Sequence, residues 1–246
     1  MWEQILPGLR IKIFFTIVLG ILYPIAMTGV SELLFPHQAD GSLITAGGKV
    51  IGSGIIGQNF TRPEYFHPRP SSAGSGYDAT ASGGSNLGPT SARLLRGTTK
   101  MDEKKNEIVD FDGIDLRLVH YCLENGIPYQ SSTPIDAFKD PQGDLDDVKL
   151  IHAFNDGKTP LVFTPKAPIP ADAVTGSASG LDPDISPANA RIQSGRVARE
   201  RRVSARQVDS LIAQFTLSPA LGIFGEPRVN VLKLNLELDR KYPVKR

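Results

Sequence analysis

The sequence holds a single cysteine, Cys122, which excludes an internal disulfide and any CxxC pair for metal or redox chemistry. Its ordinary reading is a small apolar residue on a helix face. A charge bias is also missing: 27 lysines and arginines stand against 26 aspartates and glutamates, for a formal charge of +1. No bulk field therefore points to nucleic acid or another acidic polymer. The four histidines, His37, His67, His120 and His152, never take a paired metal spacing such as HxxxH. A phosphate loop ending at Gly157-Lys158-Thr159 would need glycine where His152 stands. Gly176-Ser177-Ala178-Ser179-Gly180 has alanine where a nucleophile elbow needs serine. These absences leave no catalytic residue and no metal ligand to assign, and an anchored hydrolase lacks a nucleophile–base pair.

What the chain does hold is one long apolar run. From Ile13 to Ser31 no residue is charged, and Leu33, Leu34 and Phe35 extend the run past Glu32. That suffices to cross roughly 30 Å of hydrocarbon. A secretory signal would be shorter and would end in a small-residue cleavage site, which Gly20, Ala26 and Gly29 do not form. A retained transmembrane helix over 13–35 is expected. Arg10 and Lys12 precede it, and the next basic residue beyond it is Lys49. The positive-inside rule then predicts residues 1–12 in the cytoplasm and 36–246 outside, with the inner membrane crossed once. One span cannot form an ion pathway. Thr16, Gly20, Pro24 and Thr28 recur every four residues, a stripe where another membrane helix can approach closely. The alternative is that glycine and proline are simply common in membrane helices. Pro24 also removes a backbone hydrogen bond and predicts a kink.

Beyond the span the pattern is that of a mixed α/β domain. Residues 42–60 read as short strands broken by glycine. Gly74 to Thr90 has almost no apolar residues and, taken alone, reads as a flexible linker. A helix is expected from Pro89 through the charged stretch 100–107. Further helices fit 114–124, ended by Asn125-Gly126, and 144–154, capped by Asp144. Leu161-Val162-Phe163 is a strand candidate. Ser186-Pro187 opens another helix, and Ser204 caps one over 205–214. Arg191, Arg196, Arg199, Arg201, Arg202 and Arg206 read as a solvated helix face, with contact to anionic lipid or a partner as the alternative. From Val229 to Asp239 apolar and polar residues alternate, which predicts a half-buried strand.

The glycine- and proline-rich part carries a resemblance. Ile56-Gly57-Gln58-Asn59-Phe60-Thr61, Tyr65-Phe66-His67-Pro68-Arg69-Pro70-Ser71, Tyr77-Asp78 and Ala81-Ser82-Gly83-Gly84-Ser85-Asn86-Leu87-Gly88-Pro89 are similar to the C subunit of the Kdp-type potassium-transporting P-type ATPases. Pro170 to Thr175, Ser177 to Pro183 and Ile185-Ser186-Pro187 resemble it too. The similarity covers roughly 10–97 and 160–240, and 100–158 looks like a helical insertion. The resemblance implies an ordered signature in place of a linker. It implies a non-catalytic accessory subunit beside a potassium-translocating subunit, a P-type ATPase subunit and a small membrane subunit, in the lipid bilayer. ATP and potassium would be handled by that complex, and the chain itself lacks the pumps' Asp-Lys-Thr-Gly-Thr sequence. A second role suggested for the family is a catalytic chaperone that raises the pump's affinity for ATP. On this reading Thr16, Gly20, Pro24 and Thr28 meet a partner within the membrane. Gln58, Asn59, His67, Arg69, Ser71, Ser82, Gly83, Gly84, Ser85 and Asn86 either meet a partner outside it or shape their own loop.

Overall fold

The apolar run is helical. The computed structural model describes residues 2–244, and the chain divides between Ile55 and Ile56 into two compact units. In the first, α1 (Trp2–Ile17) passes through a π turn (Val18–Leu22) into α2 (Tyr23–Leu34). Of these, Gln4–Leu34 form a continuous helical stretch of 31 residues, apolar and long enough to cross a bilayer, and none of it is buried by the chain itself. Where Pro24 predicts a kink, the helix holds a π turn. Pro24 has no N–H to give, and the widened turn is closed by the Tyr23 N–H bonding to Val18 O. It also changes the phase of the small-residue stripe. In an α-helix each four-residue step drifts about 40°. Five residues at π pitch take back roughly 90° in all, so Thr16 and Thr28 end within about 30° of one face. The short α3 (Pro36–Ala39) follows, then an antiparallel hairpin of β1 (Leu43–Ala46) and β2 (Lys49–Ser53) turning at Gly47-Gly48.

The second unit is a mixed α/β domain of small antiparallel sheets and helices. After an extended stretch come α4 (Ala92–Arg96) and the hairpin β3 (Thr98–Met101)–β4 (Glu107–Phe111). The long helix expected from Pro89 through 107 is therefore not formed. Gly97, at φ 79°, ends α4, and β-branched Thr98 and Thr99 enter a strand. Asp102 accepts from the N–H groups of Lys104 and Asn106, which folds the charged stretch into a turn. Next are α5 (Gly113–Asn125), stopped by left-handed Gly126 as expected, β5 (Tyr129–Ser131) and α6 (Asp147–Phe154). The cap of α6 is Asp146, two residues later than predicted. The strand expected at 161–163 lies at β6 (Phe163–Pro165) and pairs with β5.

The last third packs α7 (Pro187–Arg201), α8 (Ala205–Phe215) and α9 (Val231–Lys241) around a three-stranded sheet. In it β9 (Arg228–Asn230) lies between β7 (Asp184–Ile185) and β8 (Thr216–Leu217). Ser186 caps α7, and Ser204 forms a reciprocal capping box with Gln207. The strand predicted over 229–239 is wrong beyond Asn230, whose side chain caps α9. Val231, Leu234, Asn235 and Leu238 are buried, the i, i+3, i+4, i+7 spacing of a helix face. Leucine, lysine and glutamate favour that helix over a strand. Phe66, Ile185, Val197, Val208, Leu211, Val229, Leu234 and Leu238 form the main core. A second core gathers Leu116, Val119, Leu150, Ile151 and Phe154. The segment read as an insertion is thus partly core, because α5 supplies Leu116 and Val119.

Candidate functional site

The extended stretch 57–91 contains little regular structure, yet it is held at many points. Phe66, fully buried, gives its N–H to Asn235 Oδ1 at 2.9 Å, and its carbonyl accepts from Asn235 Nδ2 at 3.0 Å. His67 repeats the arrangement with α7: its N–H donates to Gln193 Oε1 at 2.7 Å and its carbonyl accepts from Gln193 Nε2 at 3.1 Å. Two buried amides therefore stand in for a neighbouring strand. Arg196, on the same face of α7, donates to the carbonyls of Pro63 and Tyr65 and to Gln193 Oε1. Burial pulls its guanidinium pKa down and Glu124 opposes that. Arg201 donates to the Glu64 carbonyl and to Asp239, with its guanidinium over the Tyr65 ring. The predicted solvated arginine face is corrected here. Arg191, Arg199, Arg202 and Arg206 are exposed, while Arg196 and Arg201 are buried because they satisfy backbone carbonyls that have no strand partner.

The later part of the stretch locks onto the loop 175–183. Arg69 pairs with Asp182 at 3.0 Å and donates to the carbonyls of Thr175 and Gly176. The Ser71 hydroxyl donates to Gly180 O and accepts from the N–H groups of Ala73 and Tyr77. The Tyr77 hydroxyl donates to Arg69 O, and burial raises its pKa far beyond physiological pH. Ser82 Oγ and Gly83 N both donate to Ser179 O. Close approach explains two glycines. A Cβ on Gly84 would lie 2.9 Å from Ala178 O, and one on Gly180, already at φ 67°, would lie 2.6 Å from Gly83 O. The linker reading of 74–90 fails for this reason, and the ordered-signature reading agrees with the structure.

Of the predicted residues, His67, Arg69, Ser71, Ser82, Gly83 and Gly84 are thus brought into one assembly of two loops. Asn59 faces a cleft, Ser85 is half-buried beside the loop, and Asn86 is exposed with a left-handed φ of 54°. Gln58 has an interaction partner within the structure. In the first unit, the Thr16 hydroxyl donates to Lys12 O, and a Cβ on Gly20 would meet nothing nearer than Thr16 at 3.9 Å. Sequence reading missed Asn235, Gln193, Arg196 and Arg201. For Gln193 and Arg196 a signal was available in α7, where Asn189, Gln193 and Arg196 recur at core spacing.

The cleft, about 460 Å³, lies between the signature and α5. Ionisable side chains in it stand in pairs: His67 with Glu124 at 3.3 Å, His120 with Asp147 at 2.8 Å, and Arg117 with Asp112. Cys122 is buried, and that burial pushes its thiol up to about 11. Tyr121 donates to Asn189 and is likewise pushed up by burial. Among the described residues no group of three metal-ligating side chains occurs, and no signature serine is hydrogen-bonded to a histidine. The arrangement organises backbone and sets ionisable groups side by side.

The chain thus carries a membrane-length N-terminal helix and, in its second unit, a mixed α/β domain with a clasped glycine-rich signature. Residues 5–111 and 147–240 match the family model "K+-transporting ATPase, c chain". The chain is 43% identical over 240 residues to the potassium-transporting ATPase KdpC subunit of Mycobacterium tuberculosis strain H37Rv, covering 98% of this chain and 100% of that one. It is 42% identical to that of Caulobacter vibrioides strain NA1000, over 99% of this chain and 96% of the relative. With that of Beijerinckia indica it shares 40% over the whole chain and 98% of the relative. The chain belongs to the KdpC family. The family model passes over 112–146, the segment that begins with α5.

Two outcomes test this geometry. Asn235→Leu strands the Phe66 N–H and carbonyl in the core, so thermal unfolding of the full chain in detergent should show a loss of about 2–4 kcal/mol. A loss below about 1 kcal/mol would contradict the clasp. His120 is pulled above its ordinary pKa chiefly by its hydrogen bond to Asp147, opposed by burial and aided by the charges of Asp147, Glu124 and Asp112. Its folded pKa is raised, so the contribution is complete below the unfolded value and fades as pH climbs through the folded one. Between about pH 6 and pH 9 the unsubstituted chain should lose more unfolding temperature than His120→Gln does; equal losses would show that this pair adds no stability.

Proposed function

We propose that this chain is a non-catalytic accessory subunit of an ATP-driven potassium-transporting assembly, holding the complex together from one membrane span and an external domain. The observation that carries this reading is where the signature's polar groups go. Arg69, Ser71, Ser82 and Gly83 bond the chain's own 175–183 loop, which supports a shaping role over direct work on a substrate. Gln58, Asn59, His67, Gly84, Ser85 and Asn86 complete the same loop surface and are proposed to set its shape toward a partner.

Association is assigned to the span. None of its described side chains is buried within the chain, and the π turn supports one continuous stripe from Thr16 through Gly20 and Pro24 to Thr28. Arg10 and Lys12 ahead of the run favour a cytoplasmic N-terminus and an external domain. The partners would be the potassium-translocating, P-type ATPase and small membrane subunits, with ATP and potassium bound by them. The catalytic-chaperone reading is less favoured on one observation. The Ser82-Gly83-Gly84 backbone, which would have to receive phosphate, already gives the Gly83 N–H to Ser179 O at 2.8 Å.

Gly20→Leu is a clean test because an added Cβ there meets nothing inside the chain closer than 3.9 Å. Purified in mild detergent with a potassium-stimulated ATPase, Gly20→Leu should lose association by about tenfold or more. Gly29→Leu, also in open space within the chain but off the stripe, should retain it. Equal retention in both would count against the stripe.

A further inference from the structure

The hairpin connection between β8 and β9 carries a group of exposed apolar side chains unlike any other in its unit. Leu217 is 47% exposed, Leu221 90%, Ile223 76% and Phe224 61%. Elsewhere in the domain exposed large apolar residues such as Met101, Leu123 and Val162 stand singly, as surfaces ordinarily allow. The connection is a built turn. Ala220 N donates to Phe224 O at 2.8 Å, Phe224 N to Ala220 O at 2.9 Å, and Gly222 N to Pro219 O at 3.0 Å. Leu221, at its tip, has a φ of 54°, a left-handed conformation that costs a branched residue about 1 kcal/mol or more. Neither packing nor backbone geometry within the chain accounts for a leucine there.

Charge and size select the occupant. Between Thr216 and Pro227 the sole charge is Glu226, which makes no ion pair among the described residues. A tip entering an anionic lipid surface carries lysine or arginine beside its apolar residues, and an acid there is repelled. A second copy of the chain is equally poorly served. A few side chains bury a few hundred Å² at most, well short of the roughly 1,200 Å² that a self-standing interface needs. Such an anchor becomes effective when the chain is already tethered to the same partner by another contact, because its second contact is then intramolecular. This rests on the accessory-subunit reading, with the span as the first contact.

We propose that Leu221, Ile223 and Phe224 enter an apolar pocket with a basic rim on another subunit of the potassium-transporting assembly. The turn continues through β9 into α9, whose Asn235 holds Phe66, so the anchor and the signature share one rigid support. Buried apolar anchors of this kind dominate binding energy beyond their area.

The test uses the full chain with its partner subunits in native membranes. A benzophenone amino acid at Phe224 should cross-link to another subunit, while one at Asp136, whose side chain is 83% exposed, should not. Leu221→Asp/Phe224→Asp should cut co-purification by about tenfold or more with an unchanged unfolding temperature. Undiminished co-purification of that double variant overturns the anchor, as do cross-links from Phe224 to lipid alone or to a second copy. If the unsubstituted chain fails to co-purify with the ATPase, the subunit reading falls and takes the pocket with it.

Discussion

Between α7 and α9, Phe66 and His67 present four backbone hydrogen-bonding groups to a region that has no strand beside it. Asn235 and Gln193, both buried, supply all four partners. Any of these groups left bare would cost about 1–3 kcal/mol. The Phe66 side chain can therefore sit in the main core only because its own backbone is satisfied there. Arg196 and Arg201 extend the same solution to Pro63, Glu64 and Tyr65, placing guanidinium donors where a sheet would have placed amides.

That constraint positions the residues immediately C-terminal to it. With 63–67 fixed, Arg69, Ser71 and Tyr77 meet the 175–183 loop, and the glycines at 84 and 180 let two irregular backbones touch. A stretch rich in glycine, serine and proline thus becomes as determined as a strand, without a ladder. The helix that provides Asn235 follows the apolar turn through the short strand β9, so signature and turn share a common support. Rigid presentation of a shaped surface suits the accessory role proposed above.

Much of this fold is legible in the residues. The caps Ser186 and Ser204 mark α7 and α8, Gly126 marks the end of α5, and the long apolar run marks the membrane-length helix. The departures have physical causes. Val229 to Asp239 alternates in hydropathy, but its buried set includes Asn235, which a polarity count places outside. The stretch 100–107 reads as helical by charge, yet Gly97 and the Asp102 turn redirect it into a hairpin. Arg196 and Arg201 read as surface residues because burial of a guanidinium depends on carbonyls more than 130 residues away in the chain, a tertiary fact that no local pattern carries.

Amide hydrogen exchange on the full chain in detergent tests the clasp most directly. The account predicts that the Phe66 and His67 amides exchange as slowly as those of α7 and α9, since they open only with the core. Exchange of these two at the rate of the exposed turn at 140–143 would contradict it, and would return the signature to the flexible linker that its composition suggests.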